Sequence, residues 1–135
     1  MEELGEFFGF MTGIGFSILL LNYLLKLLNR IWISKLPNNN FRKQYNLIMK
    51  FIVRNHRFFA FGTAILLGTH LYLQLTYRWL SLTGLIAAIL MFANIGLGII
   101  IFYFRKHNHK SLLLFHRFIA LLLIAAVLVH LITKA

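Results

Sequence analysis

The sequence predicts an all-α membrane protein, a four-transmembrane-helix up-down bundle made of two repeated helical hairpins. Of its 135 residues, 60% are hydrophobic and 13% charged, with a mean hydropathy of +0.79, too apolar for a water-soluble domain. Segments without Asp, Glu, Lys or Arg cover 7–25, 58–77 and 79–104, and residues 111–133 carry only Arg117. Each segment is long enough to cross a hydrocarbon core of roughly 30 Å. An internal repeat, described below, predicts the two hairpins.

These segments leave no room for a soluble domain, so residues 1–135 are expected to form one transmembrane domain with short loops. The acidic start MEELGEFF has no basic region and no cleavage site, so we do not interpret the first span as a removable signal peptide. The four spans are expected at about 7–28, 57–77, 82–104 and 112–133.

The long first connection contains an amphipathic segment at about 41–53. Apolar side chains share one helical face and basic ones lie opposite, which predicts an interfacial helix or a cytoplasmic extension of span two. Headgroup anchoring and docking of a soluble partner are both open roles for it. The apolar face comprises Phe41, Tyr45, Ile48, Met49 and Ile52, and the polar face Lys43, Asn46, Lys50 and Arg54.

The distribution of the 14 Lys and Arg residues predicts the orientation. Most of them flank the two connections that lie on one side, which the positive-inside rule assigns to the cytoplasm, so both termini are expected outside. The net charge of +11 is then an orientation signal with anionic-lipid contact rather than a nucleic-acid surface. The compact chain suits the cytoplasmic membrane of a prokaryote. The basic residues of the first connection are Lys26, Arg30, Lys35, Arg42, Lys43, Lys50, Arg54 and Arg57; those of the other are Arg105, Lys106, Lys110 and Arg117.

Two similar segments suggest that the hairpins are copies of one unit. HRFFA at 56–60 matches HRFIA at 116–120, and in each the histidine is followed fourteen residues later by a second one. A weaker echo, TGI at 12–14 and TGL at 83–85, opens spans one and three. Because three-residue matches are common in apolar sequence, only the match of HRFFA with HRFIA carries weight.

The repeat places four histidines inside the predicted bundle. Fourteen residues at about 100° each return to within roughly 40° of the starting direction and rise about 21 Å, so both histidines of a span point the same way. Because spans two and four would run parallel, His56 is expected level with His116 near the cytoplasm, and His70 level with His130 near the outside. Ionisable residues inside a membrane are functional by default.

Two facing histidine pairs suit the axial positions of two haems. Iron in a porphyrin takes one ligand on each face, which predicts His56 and His116 on an inner haem iron and His70 and His130 on an outer one. Since the chain has no cysteine, covalent c-type attachment and iron-sulfur clusters are excluded, and two non-covalent haem b groups (protohaem IX) are expected.

The pattern His56-x13-His70 and His116-x13-His130 resembles the four-helix core of the membrane b-type cytochromes, in particular cytochrome b and b6. More loosely it is similar to cytochrome b561 and to ferric-reductase-type transmembrane domains. The resemblance covers all four spans and implies transmembrane electron transfer. It does not extend to the further helices and quinone-site motifs of a full cytochrome b, or to flavin and nicotinamide modules.

Span three adds glycines at the same interval, Gly84-x13-Gly98, and the resemblance implies that they let the backbone approach each haem plane, Gly98 at the inner level and Gly84 at the outer. Span one departs from that pattern, because no glycine lies fourteen residues after Gly13 or Gly15. Its spacing of small residues at 5, 9 and 13 is interpreted as a helix contact.

Other polar residues have two open interpretations each. Arg57 and Arg117, which follow the inner histidines, either pair with haem propionates or extend to the cytoplasmic interface. Thr63 and the equivalent Leu123 either line the gap between the haems or simply pack. His107 in the third connection is expected to be solvated, as is the nearby His109, rather than to bind a metal. Asn22 and Asn94 are expected to hydrogen-bond between helices.

The predicted function is electron transfer between a donor on one face and an acceptor on the other. Lacking a hydride or flavin site, the chain is an electron-carrier cytochrome or a subunit of an oxidoreductase. Expected partners are membrane lipid, a redox protein on the basic face, a quinone or outer-face acceptor, and a second copy of the chain, but no nucleic acid. Two alternatives stay open: a metal-ion or proton transporter using the intramembrane histidines, and a haem-containing anchor subunit of a larger redox complex.

Overall fold

The computed structural model describes residues 1–104 and 109–134. These residues form five α-helices and contain no β-strand, so the predicted all-α class is confirmed. The predictions for Arg105, Lys106 and His107 lie outside the described residues. The helices are α1 (Glu2–Ile31), α2 (Asn40–Arg54), α3 (His56–Tyr77), α4 (Leu82–Tyr103) and α5 (His109–Lys134), with a short 3-10 helix at Ile33–Lys35 between α1 and α2.

Four of the helices are long and apolar enough to cross a membrane: α1 with the 3-10 helix, α3, α4 and α5. Large apolar side chains point outward along all four, for example Phe10, Phe61, Ile89 and Leu121. Such a surface would be costly in water but is suited to lipid. These helices lie over the four predicted spans and indicate an integral membrane protein.

The ends of α2 and α4 follow from local capping. The Oδ1 atom of Asn39 accepts a hydrogen bond from the backbone N–H of Arg42 at 3.0 Å, and the Oγ atom of Ser81 accepts one from Gly84 at 3.1 Å. Both side chains satisfy a donor that the first helical turn leaves open. Asn55, with φ −98° and ψ 8°, separates α2 from α3. The amphipathic segment is therefore a helix that a single residue interrupts from α3, and its role as an interfacial helix or an extension of the second span stays a prediction.

The chain divides into two compact units, and the first consists of Glu3–His70. Within it, Gly15 of α1 lies against Thr63 of α3, and Gly9 lies against His70, so these two helices run in opposite directions. The hydroxyl group of Tyr45 on α2 donates a hydrogen bond of 2.6 Å to the carbonyl oxygen of Leu25 on α1. This bond ties the amphipathic helix to the first span.

The second unit consists of Leu71–Ala135 together with Met1–Glu2. Helix α4 packs against α5, and because Gly84 lies next to His130 and Gly98 next to His116, the two helices run in opposite directions. The small residues Ala87 and Ala88 are buried on α4, which allows close approach of the helix backbones. In the same unit, the Nε atom of Arg78 lies 3.4 Å from Oε1 of Glu2.

Substituting Gly15 with alanine is expected to destabilise the first unit. A methyl group on Gly15 would lie 3.2 Å from both Cβ and Cγ2 of Thr63 and closer still to its Oγ1 atom. Thr63 is only 2% exposed, so relief requires a shift of the helices, at a cost of about 1–3 kcal/mol. Thermal unfolding of the variant in detergent measures this loss of stability. Gly62→Ala is the control, because its methyl group would meet no described heavy atom within 4 Å; equal unfolding midpoints for the two variants would contradict the contact.

Substituting Tyr45 with phenylalanine is expected to lower the stability by about 1 kcal/mol at neutral pH, because the bond to Leu25 is lost. Burial raises the pKa of the Tyr45 hydroxyl above its ordinary value of 10.0. Since the folded pKa is the higher one, the contribution is fully present below pH 10 and is lost as the pH rises through the folded pKa. Unfolding of wild type, Tyr45→Phe and the exposed-site control Tyr72→Phe at neutral and strongly alkaline pH checks this. If the difference in stability between wild type and Tyr45→Phe persisted unchanged at strongly alkaline pH, this would be evidence against the Tyr45 hydroxyl as the donor.

Candidate functional site

The imidazole of His70 is held by the backbone of α1. Its Nδ1 atom lies 2.8 Å from the carbonyl oxygen of Gly5, and its ring lies so close to Gly9 that a methyl group there would be 2.8 Å from Cε1. A Cβ that close to a ring atom is not tolerated without movement. Glycine at position 9 therefore makes the hydrogen bond to Gly5 sterically accessible.

The imidazole of His116 is held in the same way by α4. Its Nδ1 atom lies 3.1 Å from the carbonyl oxygen of Asn94, and a methyl group on Gly98 would be 3.5 Å from Cε1, an ordinary contact distance. The glycine again follows the acceptor residue by four positions. In a helix, residue i+4 sits directly above the carbonyl of residue i, so a small residue there lets a ring from the neighbouring helix reach the second lone pair of that oxygen.

His130 of α5 lies against the start of α4, and its hydrogen-bond partners are side-chain hydroxyl groups instead of a backbone carbonyl. Its Nδ1 atom is 3.2 Å from Oγ1 of Thr83 and 3.3 Å from Oγ of Ser81, while a methyl group on Gly84 would be 2.9 Å from Cε1. The position four residues before Gly84 precedes the helix, so hydroxyl groups take the place of the backbone carbonyl. Gly84 thus lies against the imidazole of His130 and Gly98 against that of His116, where the resemblance implied a haem plane.

The hydrogen bonds determine the tautomer of two of these rings. A carbonyl oxygen only accepts, so Nδ1 of His70 and of His116 must carry the proton. In a neutral imidazole this leaves the lone pair on Nε2, which is the form that binds metals. Both rings are therefore protonated at Nδ1 and oriented by a backbone group of the neighbouring helix.

The fourth histidine and Arg57 begin α3, and Arg117 follows His116 on α5. His56 is half-buried as the first residue of α3, and Arg57 and Arg117 are exposed. The guanidinium carbon of Arg57 is 5.0 Å from the centre of the Phe58 ring. An exposed arginine with this stacking suits both interpretations, so pairing with haem propionates stays a prediction.

Two side chains midway between the histidines of α3 and α5 are almost completely buried. Thr63 is 2% exposed and Leu123 is 1% exposed, and the Thr63 hydroxyl donates a hydrogen bond of 2.7 Å to Phe59 O, within its own helix. Each thus presents an apolar surface, which suits packing as well as the gap between two cofactors.

The side-chain oxygens of the two asparagines within the spans do not form the predicted hydrogen bond to another helix among the described residues. The Oδ1 atoms of Asn22 and Asn94 are buried and accept no hydrogen bond from the part of the chain that the structure describes. A buried acceptor without a donor is unusual in a folded protein. For Asn94 the position is notable, because the backbone of this residue holds His116.

Sequence reasoning missed the groups that hold the rings. The spacing of small residues in α1 signalled Gly5 and Gly9, but was interpreted as a helix contact only. The weak echo of TGI in TGL aligns Gly13 with Gly84, but the α1 glycine that lies against a histidine as Gly84 does is Gly9, and a methyl group on Gly13 would meet no described atom within 4 Å. Backbone acceptors leave no sequence signal, since every residue has a carbonyl.

Within residues 1–104 and 109–134 no group of three or more His, Cys, Asp and Glu side chains is arranged to hold a metal ion. A haem iron takes only two ligands from the protein, so a haem site does not require such a group. No protein-family model matches the chain, and no curated protein or solved structure matches it either.

Proposed function

We propose that the chain is a membrane b-type cytochrome that carries electrons across the membrane through two bis-histidine haems. His56 and His116 hold the inner iron, and His70 and His130 the outer one, in an up-down bundle of two repeated hairpins. The basic connections face the cytoplasm of a prokaryotic cell and both termini lie outside. The sequence support is the pair of His-x13-His segments on apolar spans.

The observation that carries the proposal is the state of the His70 and His116 rings. Each donates its Nδ1 proton to a backbone carbonyl of the neighbouring helix, at 2.8 Å and 3.1 Å. Haem-ligating histidines need this second hydrogen bond, because it fixes the ring orientation and leaves Nε2 for the iron. The same arrangement, a ring bonded to a backbone carbonyl four residues before a glycine, occurs on both α1 and α4.

The residues present fit a haem by two further features. All four predicted ligands are imidazoles, a donor suited to iron and uncharged when bound. The glycines beside His70 and His130 let each ring approach the neighbouring helix, because a methyl group there would lie 2.8 Å and 2.9 Å from ring atoms.

When bound, each haem supplies a one-electron couple between ferric and ferrous iron. The chain itself sets the positions, since the two histidines on α3 and on α5 are about 21 Å apart along each helix, most of the bilayer thickness. Its apolar exterior keeps the sites in a low dielectric. The donor is proposed to be a redox protein on the basic face, and the acceptor a quinone or an outer-face partner.

The first test is an optical spectrum of detergent-purified protein, oxidised and then reduced with dithionite, with pyridine haemochrome stoichiometry. About two b-type haems per chain with low-spin spectra are expected, because both axial positions of each iron are filled. A protein that stays colourless when produced with ample haem would overturn the proposal. Zinc or proton transport by the same colourless protein in vesicles would favour the transporter alternative.

A second test separates an electron carrier from a haem-containing anchor subunit. Protein is reconstituted into vesicles that enclose ferricyanide, and dithionite is added outside. A carrier bleaches the enclosed ferricyanide much faster than protein-free vesicles or vesicles with His70→Ala do. Vesicles in which haem reduction is complete but ferricyanide loss stays at the protein-free rate would contradict transmembrane transfer.

A further inference from the structure

The acceptor that holds His130 is the feature that the proposed function does not explain. Whereas His70 and His116 each bond to a backbone carbonyl, His130 bonds to two hydroxyl groups, those of Thr83 at 3.2 Å and Ser81 at 3.3 Å. A hydroxyl oxygen is a weaker acceptor than a peptide carbonyl. The structure therefore contains two kinds of histidine support.

The hydroxyl groups form a chain with one consistent direction. The Thr133 hydroxyl donates to the carbonyl of Val129 at 2.8 Å or of His130 at 3.2 Å, so its oxygen is left to accept from Thr83, which lies 3.2 Å away. When the Thr83 hydroxyl donates to Thr133, the Thr83 oxygen accepts from Nδ1 of His130. Ser81, which accepts from the Gly84 N–H at 3.1 Å, has a second lone pair that faces the same Nδ1 at 3.3 Å. In this direction of the chain, His130 has the same tautomer as the other two rings.

From this geometry we infer that Thr83, supported by Ser81, is a positioning residue that sets the reduction potential of the outer haem. The inference rests on the proposed function, in which His130 binds the outer iron. The stronger the acceptor on Nδ1, the more negative charge the imidazole gives to the iron, and the more the ferric state is stabilised. A hydroxyl acceptor on Nδ1 raises the negative charge of the imidazole by a moderate amount, and removing the hydroxyl group removes this effect.

The test is a redox titration of purified wild type, Thr83→Val, Thr83→Ser and Ser81→Ala/Thr83→Val, with haem content and the EPR spectrum of the ferric protein. Thr83→Val keeps the shape of the side chain and removes the hydroxyl. We expect one of the two midpoints to rise in Thr83→Val and to rise further in the double variant, while the other midpoint stays in place. In the double variant a tenfold change in the oxidised-to-reduced ratio at fixed potential, about 59 mV for one electron, is expected.

The conservative variant and a matched control separate positioning from structure. Thr83→Ser keeps the hydroxyl and should keep the wild-type midpoint and EPR signal. Thr69→Val removes a hydroxyl next to His70 that, among the described residues, bonds to Ile65 O of its own helix at 3.0 Å, and should leave both midpoints unchanged. If the double variant loses the outer haem, the midpoints of Thr83→Val and Thr83→Ser still show whether the Thr83 hydroxyl sets the potential.

The outcomes distinguish this inference from the proposed function. Two haems per chain with midpoints that are the same in wild type and Thr83→Val would overturn the role of Thr83 and leave the cytochrome intact. Absence of haem from the wild type would overturn the proposed function and the inference with it. A rise of one midpoint in Thr83→Val that is absent in Thr83→Ser supports both.

Discussion

Replacing His70 with alanine is expected to lower the haem content to about half that of the wild type. The outer iron would lose one of its two axial ligands, and the freed carbonyl of Gly5, 2.8 Å from Nδ1 in the wild type, has no affinity for a haem. The inner haem keeps both of its histidines, so its low-spin spectrum should be unchanged. Pyridine haemochrome analysis per mole of protein, combined with the spectrum of the reduced form, measures both effects.

Two further variants make this result specific. His116→Ala should remove the inner haem instead, and His70→Ala/His116→Ala should leave almost none. His107→Ala makes the same chemical change outside the spans and should retain the full haem content. A His70→Ala protein with unchanged haem, or a loss of haem in His107→Ala of the same size, would refute the assignment of the ligands.

The long helices were predictable because a bilayer imposes a length. A span must reach across the hydrocarbon, and the segments without charges at 58–77 and 79–104 are read directly from the sequence. The structure places α3 and α4 over them. The separation of α2 from α3 was not decided by the same reasoning, because the break depends on the backbone of one residue, Asn55, in an otherwise helix-compatible segment.

The candidate site was only half predictable, for a reason of chemistry. The histidines could be identified because an imidazole within an apolar span is conspicuous. The groups that hold them are a backbone carbonyl at Gly5, a backbone carbonyl at Asn94 and a hydroxyl at Thr83. Which carbonyl meets which ring depends on the rotation and the axial offset of one helix against another, and a shift of about one turn along the axis exchanges Gly9 for Gly13. The facing of the histidine pairs stays a prediction.

Alanine at Gly9 should therefore have an effect that alanine at Gly13 does not have, although the two positions are one turn apart on the same helix. A methyl group on Gly9 would lie 2.8 Å from Cε1 and 3.1 Å from Nδ1 of His70, so the ring must swing away and break its bond to Gly5. Overpacking and the lost hydrogen bond together cost about 2–4 kcal/mol. We expect a 10–100-fold loss of affinity for the outer haem.

The glycines form a graded series that tests the cause. Gly84→Ala, with its methyl group 2.9 Å from the His130 ring, should resemble Gly9→Ala, whereas Gly98→Ala, at 3.5 Å from His116, should have a small effect. Gly13→Ala meets no described atom within 4 Å, and since alanine favours a helix by about 1 kcal/mol over glycine, it should be neutral or stabilising. Haem titration of apoprotein, followed by absorbance, gives the affinities. Gly9 and Gly13 differ because the His70 ring lies against Gly9 only, among the described residues. Equal haem affinities for Gly9→Ala and Gly13→Ala would therefore mean that this position of the His70 ring is not the one that binds haem.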